Sequence, residues 1–267
     1  VVLAHGAPMD RALSIPGADK AGVFGAAAFV GWYNGHPDFR DLDPNLEVQA
    51  AAVIGVGNVG IDIARLLSRS KKELAVTDIS DYAETAMNSS PIKDVYLFGR
   101  RGPIDAKFTN VELREMGELF QCVPQVKAAQ LPGGVGDLED REKRLKERNL
   151  ETLRAFSERR GDEKSNRIHF EFFAAPSEIL GDDKVEGIRM ERTQVEDGRA
   201  IGTGEFFDIP CGLVVAAIGY HGTPLDGAPF DDKHGIIPND NGRIDDGLYT
   251  AGWIKRGPSG VISTNRP

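Results

Sequence analysis

The chain has 267 residues, of which 40% are hydrophobic and 27% charged, and its formal net charge is −9. This length and composition are typical of one large or two ordinary globular domains and exclude a mainly disordered or fibrous protein. The acidic balance argues against general nucleic-acid binding, which needs an excess of Lys and Arg. No apolar run approaches the ~20 residues of a membrane-spanning helix, and no signal sequence is recognisable, so we predict a cytoplasmic location.

The first half of the chain contains a predicted strand–turn–helix unit. A buried strand is predicted at residues 1–4, and a helical stretch at 21–33. The apolar run 50–54 is typical of a parallel strand buried on both faces, and it leads through a glycine-rich turn into a helix that starts near residue 61. Residues 68–92 are polar and are predicted to form an insertion, with a helix at 82–87, before a strand at 95–98.

The second half is predicted to contain two helices and several strands. A helix is expected at 109–119, with Thr109 as N-cap and Glu112 at the capping-box spacing, and a charged helix at 138–160 after a glycine-rich loop. Strands are predicted at 168–173, 185–192, 205–209 and 213–218, with turns between them. This order predicts an α/β fold in which a doubly wound sheet carries an antiparallel β insert.

The cysteines and histidines do not indicate a metal or dithiol site. Cys122 and Cys211 lie far apart in the chain and form no Cys-x-x-Cys pair, so we predict two reduced, buried thiols. The five histidines have no metal-ligand spacing, so we predict no metal centre.

The glycine-rich turn has the pattern Gly55-x-Gly57-x-x-Gly60. Between a strand and a helix, the first glycine permits a tight turn, the second lets the backbone approach a pyrophosphate, and the third allows close helix–strand packing. The N–H groups at the start of the helix then face the phosphates. We therefore predict a dinucleotide site; a glycine-rich turn without a ligand is the alternative.

Two arginines, Arg100 and Arg101, follow the next predicted strand. An NAD-binding unit commonly has an acidic residue at this place, whereas guanidinium groups suit the 2′-phosphate of NADP. The sequence therefore favours NADP, and a surface arginine pair is the alternative. Because the spacing from Gly55 is more than twice the usual ~20 residues, residues 68–92 must loop out between the two strands.

Several segments together resemble the adrenodoxin-reductase type of ferredoxin-NADP reductase. They are FVGWYNG (29–35), GNVGIDIAR (57–65), GRRGP (99–103), FT with ELREM (108–109 and 112–116) and GWIKRGPSGVI (252–262). The resemblance implies a Rossmann-like NADP-binding domain with an antiparallel β insert, flanked by remnants of an FAD-binding domain. Two departures are that Gly60 stands where the family usually has alanine, and that residues 105–107 replace a less charged stretch.

The resemblance also implies roles for particular residues. Gly57, Asn58 and Val59 would hold the NADP pyrophosphate, and Arg100 and Arg101 the 2′-phosphate. Glu112 would lie beside the cofactor, with Glu115 as a polar neighbour and the candidate catalytic residue. Trp253 and residues 260–262 resemble the flavin-contacting segment, although a core aromatic is the alternative for Trp253. The predicted cofactor-binding residues are thus Gly55, Gly57, Asn58, Val59, Gly60, Arg100, Arg101, Glu112, Trp253, Gly260, Val261 and Ile262.

The implied activity is reduction of FAD by NADPH through hydride transfer, followed by single-electron transfer from FAD to a ferredoxin. Because the glycine fingerprint for FAD would lie before Val1, we expect the chain to be a fragment that binds NADP and binds FAD weakly or not at all. Residues 1–7 would end the FAD-binding domain, 8–210 would form the NADP-binding domain, and 211–267 would form the C-terminal part of the FAD-binding domain.

The charged helix suggests how an iron–sulfur partner would bind. Arg144, Lys146 and Arg148 are the predicted docking residues for an acidic ferredoxin, and a solvated helix with i,i+4 ion pairs is the alternative. Two other functions stay open. One is an NADP-binding module without turnover. The other is a flavin-dependent electron-input subunit of the glutamate-synthase type, which is expected to carry iron–sulfur cysteines nearby.

Overall fold

The computed structural model describes residues 1–260. Its strands are β1 (Val2–Leu3), β2 (Met9–Asp10), β3 (Val23–Gly25), β4 (Ala50–Ile54), β5 (Asp94–Gly99), β6 (Cys122–Val126), β7 (Asn166–Phe172), β8 (Ala174–Leu180), β9 (Gly187–Glu196), β10 (Arg199–Pro210), β11 (Leu213–Ala216), β12 (Tyr220–His221), β13 (Arg243–Asp245) and β14 (Leu248–Thr250). Its α-helices are α1 (Ala26–Tyr33), α2 (Asn58–Leu67), α3 (Lys71–Leu74), α4 (Asp81–Ser89), α5 (Asn110–Met116), α6 (Asp140–Ser157) and α7 (Trp253–Arg256). The described residues form two compact units.

The large unit, Ala12–Ala217, is built on a parallel sheet with the strand order β3-β11-β4-β5-β7-β6. Its central strand β4 is buried on both faces, as its continuous apolar run predicts. A second sheet, with the antiparallel order β10-β9-β8, packs against one face of the parallel sheet. The cluster between them joins Ile54 and Phe98 to Ile179, Ile188 and Met190. The predicted α/β fold with an antiparallel insert is confirmed.

Residues 68–92 loop out as the arginine argument requires. They contain α3 and α4, while β4 and β5 on either side of them pair directly and in parallel, with Ile54 opposite Phe98. The ends of these two strands therefore lie side by side, although they are far apart in sequence. In a parallel sheet this edge is where ligands bind.

Three strands of the large unit were not predicted, one of which, β3, lies within the stretch 21–33 that was expected to be helical. Both β6 and β8 contain a proline, Pro124 and Pro176, and both are edge strands, where the missing N–H of proline is tolerated. The strand predicted at 168–173 is β7, and it joins the parallel sheet between β5 and β6. Because proline is unusual inside a strand, the sequence pattern did not indicate β6 or β8.

The small unit consists of Val1–Arg11 and the residues from Ile218 onward. In it β1 pairs in parallel with β14, which pairs with β13, and β2 pairs with β12. The expected strand at the start is short, and it is not buried, since Val1 is 81% and Val2 63% exposed. The large unit runs to Ala217 because β11 lies between β3 and β4, whereas the predicted boundary after residue 210 would exclude this strand.

Both cysteines are buried and unpaired, in agreement with the prediction of reduced thiols. Burial raises the pKa of Cys122 and of Cys211 to about 12 in each case. The reactive thiolate is therefore not the favoured form of either side chain near neutral pH. Among the described helices, none has the length and apolar character to cross a membrane.

An ion pair at the start of β5 makes the stability of the large unit depend on pH. The Asp94 carboxylate accepts hydrogen bonds from Arg167 at 2.7 and 3.1 Å and from His169 at 2.8 Å. These bonds, chiefly those from Arg167, lower the pKa of Asp94. Because the folded-state pKa lies below the unfolded value of ~3.9, the carboxylate stabilises the fold above that pH, and the effect is lost as the pH falls through the lower folded-state pKa.

We therefore expect Asp94→Asn to lower the free energy of unfolding by about 1 kcal/mol near neutral pH and by less near pH 3. Urea denaturation at both pH values measures this difference. Asp137→Asn is the control, because Asp137 is exposed and has no ion pair among the described residues. An equal loss of stability at the two pH values would contradict the assignment.

Candidate nucleotide-binding site

The glycine turn joins β4 to α2 at the carboxyl edge of the parallel sheet. Gly55 has a φ of 123°, a left-handed conformation that only glycine adopts readily. A Cβ on Gly60 would overlap the carbonyl oxygen of Gly55, so the helix starts closer to the strand than a side chain there would allow. The usual alanine at position 60 therefore does not fit this turn without a backbone shift.

The space immediately beside Gly57 is open in the described part of the chain. A Cβ on this residue would meet nothing within 4 Å. Gly57 is also the N-cap of α2, and no side chain caps the helix. Within residues 1–260, the N–H groups of Asn58 and Val59 at the start of the helix therefore have no side-chain acceptor. A pyrophosphate placed there would be such an acceptor.

The Asn58 side chain connects the glycine turn to the next loop. Its Oδ1 accepts a hydrogen bond from the Thr109 N–H at 2.8 Å, and the Lys107 N–H donates to the Val56 carbonyl at 2.9 Å. The Oδ1 atom of Asn58 therefore already accepts a hydrogen bond from the protein backbone. The side-chain NH₂ group of Asn58 has no partner among the described residues and is available to a ligand.

Arg100 lies directly after β5, next to the glycine turn, because β5 pairs with β4 up to Phe98. A Cβ on Gly99 would contact Val56 at 2.9 Å, which shows how closely the two strand ends approach. The Arg100 side chain is exposed, and it forms no ion pair among the described residues. The Arg100 carbonyl accepts a hydrogen bond from the Thr193 hydroxyl at 2.7 Å, so the antiparallel insert fixes the backbone that carries it.

Arg101 is in a different environment from Arg100. Its Nη1 lies 2.9 Å from the Asp105 carboxylate and donates to the Gly198 carbonyl at 3.1 Å. Gly198 belongs to the turn between β9 and β10, so this side chain also links the arginine segment to the insert. The two arginines that the sequence treated as equivalent therefore differ, since only Arg101 has a carboxylate partner.

Glu112 and Glu115 are held by Arg65, which the sequence analysis did not single out. The guanidinium of Arg65 pairs with Asp62 at 2.7 Å, with Glu112 at 3.4 Å and also with Glu115. Burial, which outweighs the attraction to Arg65, raises the pKa of Asp62. The spacing of Asp62 and Arg65, i and i+3 on a helix, was a signal for this pair, but the partners on α5 could not be read from it.

This cluster explains why the predicted capping box is only half formed. Thr109 caps α5 and accepts a hydrogen bond from the Glu112 N–H at 3.5 Å. The Glu112 carboxylate does not return to the helix start, because it pairs with Arg65 on α2. Glu112 and Glu115 therefore tie α5 to the helix that follows the glycine turn.

Helix α6 supports the loop that carries these residues. Lys146 donates to the Ala106 carbonyl at 2.6 Å, and the buried Asn149 donates to the Phe108 carbonyl at 3.2 Å. Burial lowers the pKa of Lys146. Lys146 is thus partly buried and bound to the loop, in contrast to the exposed docking residue expected from the sequence, whereas Arg144 and Arg148 are exposed.

Two of the predicted flavin-contacting residues, Trp253 and Gly260, are in the small unit. Trp253 begins α7, is partly exposed, and stacks on the Tyr220 ring with a centroid distance of 6.1 Å and an interplanar angle of 21°. Gly260 has a φ of 78°. Val261 and Ile262 lie outside the described residues.

The fold is a parallel α/β sheet with a glycine turn at its carboxyl edge, and comparisons with known proteins show what the chain is similar to. No family model matches the chain. The chain is 42% identical over 273 residues to the NADPH-ferredoxin reductase FprA of Mycobacterium tuberculosis, covering 100% of this chain and 60% of that protein. It is 41% identical over 291 residues to the mitochondrial NADPH:adrenodoxin oxidoreductase of Arabidopsis thaliana, with coverage of 99% and 60%.

The structural comparison agrees. The structure of Mycobacterium tuberculosis FprA in complex with NADPH matches with a TM-score of 0.93 and 43% identity, over 99% of this chain and 60% of that one. Over the segment it spans, the chain is therefore similar in sequence and structure to NADPH-ferredoxin reductases of the adrenodoxin-reductase type, the resemblance that the motifs predicted. It spans about 60% of the length of these relatives.

Proposed function

We propose that the chain is the NADPH-binding part of a flavoprotein that transfers electrons from NADPH to a ferredoxin-type iron–sulfur protein. The observation that carries this proposal is that a Cβ on Gly57 would meet no described atom within 4 Å, at the same carboxyl edge of the sheet where the exposed Arg100 follows the neighbouring strand β5. This space and this charge suit the pyrophosphate and the 2′-phosphate of one NADPH molecule. The relatives' names describe the same reaction for those proteins.

In this proposal the chain's own residues bind and orient the nucleotide. The N–H groups of Gly57, Asn58 and Val59 hold the pyrophosphate, and Arg100, with Arg101, holds the 2′-phosphate. Arg65 keeps Glu112 and Glu115 in place beside this site through its ion pairs. Through its ion pair with Arg65, Glu115 holds α5 against α2. It has no proton-transfer role, because hydride transfer depends chiefly on the positioning of the reactants.

The small unit would contribute to an FAD-binding domain. Trp253 presents a partly exposed indole beside Tyr220, which suits the neighbour of a flavin ring, and the Gly260 segment follows it. When bound, FAD supplies the ability to take up a hydride and to release electrons singly. On this proposal the small unit belongs to that domain and the large unit, Ala12–Ala217, is the NADP-binding domain, instead of the boundaries after residues 7 and 210 expected from the sequence.

The flavin content and the activity of the purified 267-residue chain test this proposal. We expect NADPH binding by titration and less than one FAD per chain in the absorption spectrum, and tightly held stoichiometric FAD would contradict the fragment interpretation. NADPH-dependent reduction of a dye that requires added FAD would support the reductase. NADPH binding without dye reduction, even with added FAD, would favour an NADP-binding module without turnover. An absence of NADPH binding would contradict both.

The docking of an acidic iron–sulfur protein is proposed for the exposed arginines of α6. Arg144 and Arg148 are exposed, whereas Lys146 is bound to the Ala106 carbonyl. In a preparation that reduces ferredoxin, we expect Arg144→Ala with Arg148→Ala to slow reduction several-fold at low ionic strength and to have little effect at high ionic strength, because salt screens exposed charges. An unchanged rate at low ionic strength would contradict this assignment, and unchanged dye reduction is the control.

The cellular location stays a prediction. The Arabidopsis thaliana relative is named as a mitochondrial protein. Fractionation of the source cells tests whether this protein is cytoplasmic.

A further inference from the structure

Arg101 is bound within the protein through one nitrogen of its guanidinium. Nη1 donates a hydrogen bond to the Gly198 carbonyl and lies 2.9 Å from the Asp105 carboxylate, so this nitrogen has two partners within the protein. A guanidinium has five N–H donors in all, so the Nη2 and Nε edge is left for a ligand. The ion pair with Asp105 therefore leaves the Nη2 and Nε donors of Arg101 available to a phosphate, but it places a negative charge beside them.

The position of Asp105 is held by its neighbours. Asp105 ends the short 3₁₀ turn Pro103–Asp105, and the next residue, Ala106, is buried. The Ala106 carbonyl accepts the hydrogen bond from Lys146 at 2.6 Å, and the Ala106 N–H donates to Pro103 at 3.3 Å. These bonds fix the backbone that carries Asp105 and so keep its carboxylate within reach of Arg101.

The charge of Asp105 opposes the binding of a second anion. A phosphate monoester carries a charge of about −1.5 to −2 near neutral pH. With Asp105 present, the two arginines and the carboxylate have a net charge of only +1, whereas the arginines alone would have +2. A phosphate bound on the other side of the Arg101 guanidinium would also be repelled directly by the Asp105 carboxylate.

We propose that Asp105 is a specificity-determining residue that weakens the binding of a 2′-phosphate by partly neutralising Arg101. This inference rests on the proposed function, because it takes the 2′-phosphate of NADPH as the anion bound beside Arg100. It gives this chain a lower preference for NADPH over NADH than two unpaired arginines would provide. Arg100 is then the main partner of the phosphate, and Arg101 the weaker one.

Asp105→Asn separates the charge of this residue from its shape. The amide keeps an oxygen that can accept the hydrogen bond from Arg101, so the arginine stays oriented while the negative charge is removed. We expect the variant to bind NADPH about two- to fivefold more tightly than the wild-type chain, in line with the strength of a partly exposed ion pair. Binding of NADH, which lacks the 2′-phosphate, should not change, and 0.5 M salt should reduce the gain.

A matched control is Asp208→Asn. Asp208 forms the same kind of pair, with Arg189 at 2.8 Å, but lies toward the end of β10 that is remote from the Gly198 turn. This substitution should leave both dissociation constants unchanged. In an Arg101→Gln background, Asp105→Asn should no longer tighten NADPH binding, since the carboxylate acts through that arginine.

Isothermal titration of these chains with NADPH and NADH decides between the outcomes. A wild-type preference for NADPH together with unchanged or weaker NADPH binding by Asp105→Asn would overturn the inference and leave the proposed function intact. A gain that persists in the Arg101→Gln background would overturn the assignment to Arg101. A wild-type chain without any preference for NADPH would overturn both the inference and the proposed NADPH site.

Discussion

Gly57→Ala is expected to weaken the binding of both NADPH and NADH by about 10- to 100-fold. The added methyl group would occupy the open space beside the N-terminus of α2, where the pyrophosphate common to both nucleotides is proposed to bind. Loss of one charge-assisted hydrogen bond to a backbone N–H costs about 1.5–3 kcal/mol, which is the basis of this range. Titration of the purified variant with each nucleotide measures the effect.

The same substitution should leave the fold intact. Gly57 has a φ of −108° and a ψ of 179°, an extended conformation open to alanine, and its Cβ would meet no protein atom within 4 Å. The free energy of unfolding should therefore change by less than about 1 kcal/mol. Gly134→Ala is the matched control, because a Cβ there also meets nothing within 4 Å, but the residue lies in a different loop. Unchanged nucleotide binding by Gly57→Ala, in a folded protein, would contradict the proposed position of the pyrophosphate.

Arg100→Gln is expected to weaken NADPH binding by about 10- to 100-fold and to leave NADH binding unchanged. The variant removes the charge that has no carboxylate partner among the described residues, and charge-assisted hydrogen bonds contribute about 1.5–3 kcal/mol each. Arg101→Gln should have a smaller effect, because Asp105 already neutralises part of its charge. Arg100→Gln should therefore weaken the binding of NADPH alone, whereas Gly57→Ala should weaken the binding of both nucleotides.

The control for Arg100→Gln is Arg141→Gln, which removes an exposed positive charge on α6. It should leave both dissociation constants unchanged, since long-range attraction between exposed charges is screened at physiological salt. An equal loss of NADPH and NADH affinity in Arg100→Gln would mean that the arginine does not recognise the 2′-phosphate. A larger effect of Arg101→Gln than of Arg100→Gln would reverse the proposed ranking of the two arginines.

The unit formed by β4, the glycine turn and α2 could be predicted from the sequence because its signals are local. A continuous apolar run, glycines at fixed spacing and an amphipathic helix lie within residues 50–67. The pairing of β4 with β5 across residues 68–92 was inferred only because the arginines required it, and the strand register bears it out. The edge strands β6 and β8 were missed because their prolines contradict the usual strand pattern.

The inequality of Arg100 and Arg101 could not be predicted from the sequence. It arises from the turn at Gly198, which is distant in the chain, and from the orientation of the Asp105 carboxylate. The role of Lys146 depends in the same way on a long-range contact, with Ala106. A pattern of charges on a helix does not show which of them packs against a loop, so the docking interpretation included a residue that is bound within the fold.

The most direct measurement of the NADPH assignment is the pair of dissociation constants of the wild-type chain for NADPH and NADH under the same ionic conditions. We predict that NADPH binds at least about tenfold more tightly, because one charge-assisted contact to the 2′-phosphate contributes at least about 1.5 kcal/mol. Equal affinity for the two nucleotides would contradict the account, since Arg100 beside the glycine turn would then have no phosphate to recognise.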